Sequence, residues 1–258
     1  MNPVPDLSIL WPALAAGLLV TATHVPLGAQ VLSRGIVFID LAVAQIAGLG
    51  VIFADWLGFE PQGAAVQAAA LAAALGGALL LNWTEQIWPD VQEAVIGVSF
   101  ILAATGASLL LASNPHGGEH LKELLVGQIL WVNTSGLALS ALVSAAVLWM
   151  WFCFAARIGR TGFYVLFACA VTVSLQLVGL YLVFTSLIVP ALATRRIARG
   201  RLAAGYALGA LGYASGLALS LISDLPPGPL IVWTMTGLGI ALIVYGRVRS
   251  NAREAPPV

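Results

Sequence analysis

Apolar stretches of near-spanning length recur along the whole 258-residue chain and limit what it can fold into. A helix needs about 20 mainly apolar residues to cross the hydrocarbon core of a bilayer. The stretches that approach or reach this length are residues 9–23, 35–56, 63–83, 94–112, 129–154, 163–193, 202–222 and 230–245. They predict an all-α integral membrane protein, a polytopic helical bundle of about 8–9 transmembrane segments.

The composition agrees with this prediction and excludes several classes of protein. Only 9% of the residues are charged, whereas a soluble domain is typically about a quarter charged. The net charge of zero gives no basic surface for nucleic acid. Polar stretches are short, so we expect one transmembrane domain over residues 1–258, with a membrane-spanning core at 8–246 and a cytoplasmic tail at 247–258. The sequence has no phosphate-binding P-loop, so we expect no enzyme here, and any ATP hydrolysis requires a separate subunit.

The sixth stretch, residues 163–193, is too long for one comfortable crossing. Gln176 and Gly179 lie in its middle, and Pro190 lies near its end. Two short crossings or a broken helix fit this pattern better than one straight helix.

Arginine-rich connections predict the orientation in the membrane, because Lys and Arg accumulate in cytoplasmic loops. Arg34, residues 157–160, residues 195–201 and the tail after Tyr245 carry this positive charge. All four segments can lie on the cytoplasmic side only if stretch 163–193 crosses the membrane twice. The N-terminus then lies outside. His24 is then expected at the cytoplasmic end of the first span. The acidic connection 85–93 also lands inside, but acidic residues carry little weight in this rule.

The second stretch contains two polar residues, Asp40 and Gln45. An ionisable group in hydrocarbon costs a few kcal/mol or more, so it usually faces a protein interior or a wet pathway. We therefore predict that Asp40, Gln45 and Gln176 line a translocation path. Two alternatives stay open: Asp40 lies near the interface where water reaches it, and the glutamines only bridge helices by hydrogen bonds.

One loop carries residues of metal-ligand type, namely His116, Glu119 and His120. They formally spell the H-x-x-E-H pattern of a metallopeptidase, which needs a helix to align its histidines. Pro115 and the glycines at 117–118 indicate a loop instead, which argues against a protease. Imidazole and carboxylate suit zinc or manganese, so we predict a metal-handling external loop at these three residues. The alternative is a solvated loop with incidental histidines.

Four blocks together resemble one family, the permease subunits of ABC-type zinc and manganese importers (the ABC-3 family). Residues 31–58 resemble its first cytoplasmic loop and second span, and residues 92–100, QEAVIGVSF, resemble its E-D-x-A-I-G-I-x-F motif. Residues 124–130 are similar to its L-x-G-x-I-L. The most specific block is residues 175–191, which are similar to its V-G-x-L-L-V-x-x-L-L-I-x-P-A.

The resemblance implies a fold like that of type II ABC importers, in the inner membrane of a bacterium. It also implies a homodimer enclosing a path, a cytoplasmic ABC ATPase and a periplasmic metal-binding protein. Membrane lipid would surround the dimer, no cofactor would be bound permanently, and the divalent metal would be the substrate.

Two departures from the family pattern bear on function. The family carries Asp and His in its second span, and here Gln45 occupies the histidine position, with Asp40 one place before the aspartate position. The family's cytoplasmic coupling helix is shortened to residues 154–159, FAARIG. We expect Arg157 and Gly159 to serve ATPase coupling in its place.

The sequence therefore predicts the permease of an ATP-driven zinc or manganese importer. Two other functions remain open. One is a partner-independent channel or secondary carrier on the same fold, for which Asp40 is the candidate coupling site. The other is a membrane assembly protein that transports nothing.

Overall fold

The computed structural model describes residues 7–60, 63–111, 125, 127, 129–132, 134–154 and 157–254. Its α-helices are α1 (Leu7–Arg34), α2 (Ile39–Trp56), α3 (Ala64–Ile87), α4 (Gln92–Leu111), α5 (Thr134–Cys153), α6 (Arg160–Val178), α7 (Leu180–Ala193), α8 (Arg201–Ser223) and α9 (Pro227–Glu254). Short 3-10 turns lie at Pro89–Val91 and Ile129–Trp131. Of the helices in this described part, 8 are long and apolar enough to cross a membrane, and α7 is a shorter apolar helix. The predicted all-α polytopic fold is confirmed.

The first helix is longer than the sequence predicted, because α1 continues through Pro26 to Arg34 instead of ending near residue 23. A proline inside a helix has no N–H for the carbonyl four residues earlier, which here is that of Ala22. The Tyr206 hydroxyl of α8 donates to the Ala22 carbonyl at 3.3 Å and replaces the missing partner. His24 therefore lies inside α1 and is fully buried, which corrects its predicted place at the end of a span.

Helix α1 packs closely against α7 and α8 because small residues lie at the contacts. A Cβ added at Gly28 would overlap the backbone carbonyl of Leu187, and one added at Gly17 would overlap the ring of Tyr213. The backbones of α1 and α7 therefore touch at Gly28, whereas at Gly17 the ring of Tyr213 fills the space between α1 and α8. The same face of α1 carries a run of buried residues, so α1 belongs to the centre of the bundle.

Helices α6 and α7 form a hairpin that starts and ends toward the same end of α1. The guanidinium of Arg34 lies 4.3 Å from the ring centroid of Phe163, near the start of α6. Toward its end, α7 reaches Gly28 of α1 through Leu187. The turn between them is Gly179, whose φ of 80° is a left-handed conformation that glycine adopts readily. Stretch 163–193 is thus a broken helix, as predicted.

Candidate functional site

Asp40 lies in the first turn of α2 and is fully buried, with 0% of its surface exposed. Neither carboxylate oxygen has a hydrogen-bond partner of good geometry among the described residues. The helix packs against α3, α4, α6 and α7, so the protein interior surrounds it. Water at an interface therefore does not reach Asp40 within this chain, contrary to the first alternative. A buried carboxylate without a partner is costly, which makes it a candidate for binding a cation.

Gln45 lies five residues further along α2 and is 8% exposed. Its amide makes no side-chain hydrogen bond within the described part of the chain, so it does not bridge two helices there. A separation of five residues places Gln45 roughly 140° around the helix from Asp40. Both are nevertheless covered because other helices enclose α2. Gly77 of α3 contributes to this close packing, since a Cβ there would lie 2.6 Å from Ile46.

Gln176 lies in the last turn of α6 and is exposed, unlike Asp40 and Gln45. The structure thus does not bring the three predicted path residues together within one chain. Lipid offers no hydrogen bond to an amide, so an exposed glutamine in a spanning helix requires water or another protein surface beside it. Such a surface would have to come from outside the described residues.

A polar cluster joins the end of α3 to the start of α6. The Asn82 side chain donates to the Thr161 hydroxyl at 3.1 Å, and Arg160 Nε lies 3.9 Å from Glu85 Oε2. The pair Arg160–Glu85 is partly exposed, so its Coulomb energy is screened and small. The pair nevertheless explains one acidic residue of connection 85–93, which the orientation prediction placed on the cytoplasmic side: Arg160 neutralises Glu85.

Further hydrogen bonds hold the start of α4 in place. The Gln92 amide donates to the Leu81 carbonyl at 2.9 Å and accepts from the Thr84 hydroxyl at 3.1 Å. The Glu93 carboxylate accepts from the backbone N–H of Val37 at 2.6 Å. Three polar residues of segment 85–93 therefore connect helices: Glu85, Gln92 and Glu93. Sequence reasoning missed Gln92 as a structural residue, although it lies at the start of a block that resembles the ABC-3 family.

The predicted coupling residues lie in the connection before α6. Arg157 is exposed, and its N–H donates to the Phe154 carbonyl at 2.8 Å. The Gly159 carbonyl accepts from the N–H of Phe163 at 3.1 Å, so Gly159 begins the hydrogen-bond ladder of α6. Movement of this connection would therefore act directly on the first turn of α6.

The predicted metal-ligand residues His116, Glu119 and His120 lie outside the described residues. Within the described ranges, no group of three or more His, Cys, Asp or Glu side chains is arranged to hold a metal ion. The buried His24 directs Nδ1 to the Val20 carbonyl at 3.0 Å and to the Thr23 hydroxyl at 3.0 Å. It forms no such group with Asp40.

The chain is similar to known transport proteins in sequence and in fold. A sequence profile of the ABC 3 transport family matches residues 6–161 and 153–246. The structure of PsaBC from Streptococcus pneumoniae in complex with Fab matches with a TM-score of 0.75 at 19% identity, over 92% of this chain and 91% of that chain. An inward-facing structure of a putative metal-chelate type ABC transporter matches with a TM-score of 0.62 at 16% identity, over 91% of this chain and 85% of that chain.

Two independent results thus agree: the family profile matches most of the chain, and the apolar helices are those of a multi-pass protein. A permease of this kind forms the transmembrane channel subunit and is not itself catalytic. This protein belongs to the ABC 3 transport family, as the permease of an ABC transporter in the bacterial inner membrane.

Proposed function

We propose that this permease forms the translocation path of an ATP-driven importer of divalent metal, either zinc or manganese. The observation that carries the proposal is the fully buried, unpaired carboxylate of Asp40, on a helix that packs against the broken pair α6–α7. An uncompensated carboxylate favours a cation beside it. Broken membrane helices are typical of substrate sites in transporters, because irregular backbone is tolerated only where protein or water surrounds it.

The donor atoms favour manganese over zinc within this proposal. Asp40, Gln45 and Gln176 do not form one site within this chain, but each would offer a metal ion an oxygen atom, and oxygen ligands suit manganese, whereas zinc prefers imidazole nitrogen and thiolate sulfur. A metal cargo also fits the similarity to a putative metal-chelate type ABC transporter. The transported metal is the substrate, and we propose no permanently bound cofactor.

Three partners complete the proposed importer. A second copy of the chain would cover the exposed Gln176 and enclose the path. A cytoplasmic ABC ATPase would dock near Arg157 and Gly159, which are exposed beside the first turn of α6. A periplasmic metal-binding protein would deliver the ion to the loop that carries His116, Glu119 and His120.

Co-purification and transport test the proposal together. A P-loop ATPase should be recovered with the permease, and the complex in proteoliposomes should take up radioactive manganese or zinc only with ATP. Asp40→Asn removes the charge that the path offers, so uptake should fall about tenfold, the equivalent of about 1.4 kcal/mol. Asp55→Asn, near the end of the same helix, is the matched control and should transport normally. Normal uptake by Asp40→Asn would remove this residue from the path, and uptake without ATP would favour the secondary carrier.

The external loop has its own test. If His116 and His120 receive the ion from its carrier, replacing both by alanine should impair uptake at scarce metal and have no effect at abundant metal. The two glycines at 117–118 do not favour a preorganised set of ligands, so we expect weak binding that saturation with metal would bypass. A double variant that matches the parent at every metal concentration would identify the loop as a solvated connector.

A further inference from the structure

Five arginines meet at one end of the bundle, where α7 ends, α8 begins and the last span ends. Four of them follow each other closely in the sequence and the fifth lies on α9: Arg195, Arg196, Arg199, Arg201 and Arg247. Arg201 is partly exposed, and the other four are exposed. We call these five residues the arginine patch. None of them belongs to the candidate path or to the connection predicted to couple the ATPase.

The packing of α8 against α9 brings Arg247 close to the other four arginines. Close contacts at two levels show that the two helices run antiparallel: Gly212 against Met235, and Gly216 against Ile231. Both helices rise by about 1.5 Å per residue, so the same register continues to the start of α8. It places Arg201 level with the residue that precedes Arg247. The patch is therefore one surface, built from the ends of three helices.

Hydrogen bonds hold the connection between α7 and α8 against the end of α7. The Thr194 hydroxyl donates to the Pro190 carbonyl at 2.7 Å, and the N–H of Ile197 donates to the Thr194 carbonyl at 2.9 Å. Arg201 Nη2 donates to the Ala191 carbonyl at 3.5 Å. The backbone thus keeps the positive charges of the connection near each other, and like charges repel.

The arginine patch has no negative partner within the described part of the chain. The ion pair found there joins Arg160 to Glu85, and neither residue belongs to the patch. Arg201 Nε is buried and has no hydrogen-bond acceptor among the described residues. A guanidinium stays charged at any ordinary pH, and its planar set of donors matches a phosphate group. The patch is therefore suited to an anion that comes from outside these residues.

The surroundings of the patch favour a lipid headgroup as this anion. Exposed apolar side chains lie within about a turn of the arginines on the spanning helices: Leu192, Leu202, Val244 and Tyr245. Arginines clustered directly beside a membrane span attract anionic lipid. The predicted ATPase connection leads instead into α6, which packs mainly against α3 and α5, whereas α8 packs against α1, α7 and α9. The patch and that connection thus belong to different parts of the bundle.

We propose that the arginine patch binds the headgroup of an anionic phospholipid, which holds the ends of α7, α8 and α9 together. Phosphate oxygens accept hydrogen bonds from the guanidinium groups and offset the repulsion among them. The acyl chains lie against the exposed apolar side chains next to the patch. With the predicted orientation, this lipid belongs to the cytoplasmic leaflet. The binding depends on the fold and is independent of the cargo and of the ATPase.

Titration of the delipidated permease in detergent tests the proposal. The two probes are phosphatidylglycerol, which is anionic, and phosphatidylcholine, which has no net charge, and native mass spectrometry measures the bound lipid. Phosphatidylglycerol should bind more tightly and should raise the unfolding temperature more. Arg195→Gln, Arg196→Gln and Arg199→Gln together should weaken its binding about a hundredfold, because three charges near the headgroup are lost. Lysine at the same three positions keeps the charge and should retain most of the binding.

Arg157→Gln is the matched control for the single variant Arg199→Gln, since both arginines are exposed and only Arg199 belongs to the patch. Arg199→Gln should weaken phosphatidylglycerol binding about fivefold, and Arg157→Gln should leave it unchanged. The parent chain gives a test that needs no variant, and it decides the question if the triple glutamine variant fails to fold. Its binding of phosphatidylglycerol should weaken as added salt screens the arginines.

Three results would overturn the proposal. The first is equal binding of the two lipids by the parent chain, and the second is binding of phosphatidylglycerol that neither salt nor the triple glutamine variant changes. The third is a triple glutamine variant that keeps phosphatidylglycerol and loses a co-purified ATPase, because the patch would then be a docking surface for that subunit.

Discussion

Helices α4 and α6 differ little in hydropathy and greatly in burial. In the span containing α4 the mean hydropathy is 2.2 and 22% of the residues are buried inside the protein. In α6 the mean hydropathy is 1.8 and 67% of the residues are buried. In water, apolar residues are driven inward, but in a bilayer lipid and protein interior are similarly apolar. Hydropathy therefore identifies membrane-spanning helices, and it does not tell which of them form the centre.

Side-chain shape and polarity separate the two helices instead. Helix α4 exposes large aliphatic side chains such as Ile101, Leu102 and Leu109. Helix α6 buries the rings of Tyr164 and Phe167, and it carries the break and the exposed Gln176 at its end. Central helices thus hold the specific contacts, and peripheral helices supply an apolar surface. The variants below test how far that contrast holds.

The largest effect is expected from filling a backbone contact at the centre. Gly28→Ala would place a Cβ against the Leu187 carbonyl, and neither backbone can move aside without shifting a helix. Overpacking a core typically costs about 1–3 kcal/mol, and this backbone clash should lie at or above the top of that range. The unfolding temperature of the purified protein in detergent measures the loss.

Gly97→Ala on α4 is the control for that variant, because an added Cβ there meets no atom within 4 Å. It should leave the unfolding temperature unchanged or raise it, since alanine favours a helix by about 1 kcal/mol over glycine. Equal destabilisation by both substitutions would show that the periphery is packed as tightly as the centre.

An intermediate effect is expected where peripheral α4 is tied to its neighbour. Gln92→Leu removes the donor to the Leu81 carbonyl and the acceptor for Thr84, so two hydrogen bonds between α3 and α4 are lost, while the Thr84 hydroxyl still donates to the Leu81 carbonyl at 3.0 Å. The loss should be about 2 kcal/mol, measured as a lower unfolding temperature. Gln86→Leu replaces an exposed glutamine on α3 and should change little. Indistinguishable unfolding temperatures for the two variants would mean that α4 needs no polar anchor.

The smallest effect is expected at the proline of α1. Tyr206→Phe removes the hydroxyl that donates to the Ala22 carbonyl, the group left without a partner by Pro26. Hydrogen bonds between membrane helices are worth about 0.6 kcal/mol on average, so a small drop in the unfolding temperature should result. Tyr245→Phe, at an exposed tyrosine of α9, is the control and should leave the unfolding temperature unchanged. No difference between the two would indicate that α1 tolerates the unpaired carbonyl.

Local sequence signals predicted a break in stretch 163–193, which is too long for one crossing and has Gln176 and Gly179 in its middle, and the structure places the break at Gly179. They failed in α1, where the first apolar stretch was predicted to end at residue 23 and the helix continues through Pro26 to Arg34. The difference lies in the surroundings: Tyr206, 184 residues away from Ala22, supplies the missing hydrogen bond and lets α1 continue. No local signal could reveal that partner.

The candidate site shows the same contrast between residue types, which local sequence predicts, and their arrangement, which it does not. Asp40, Gln45 and Gln176 were identifiable as polar residues in apolar stretches, since such residues are costly in a membrane. Their separation was not predictable: Asp40 and Gln45 are buried within α2, whereas Gln176 is exposed at the hairpin. The close approach of Gly127 to the carbonyl group of Val178 was equally unpredictable, although both residues lie in blocks that resemble the ABC-3 family.

The sequence by itself determined that the chain is a helical membrane protein, where most spans lie, and which family its motifs resemble. These properties follow from local hydrophobicity and from short ordered motifs, which need no knowledge of neighbours in space. The tertiary structure alone decided which helices lie at the centre, which buried polar groups find partners, and which backbone segments touch. Those outcomes depend on close packing between helices. Because lipid is as apolar as the side chains that contact it, the hydropathy pattern does not show which faces pack against protein.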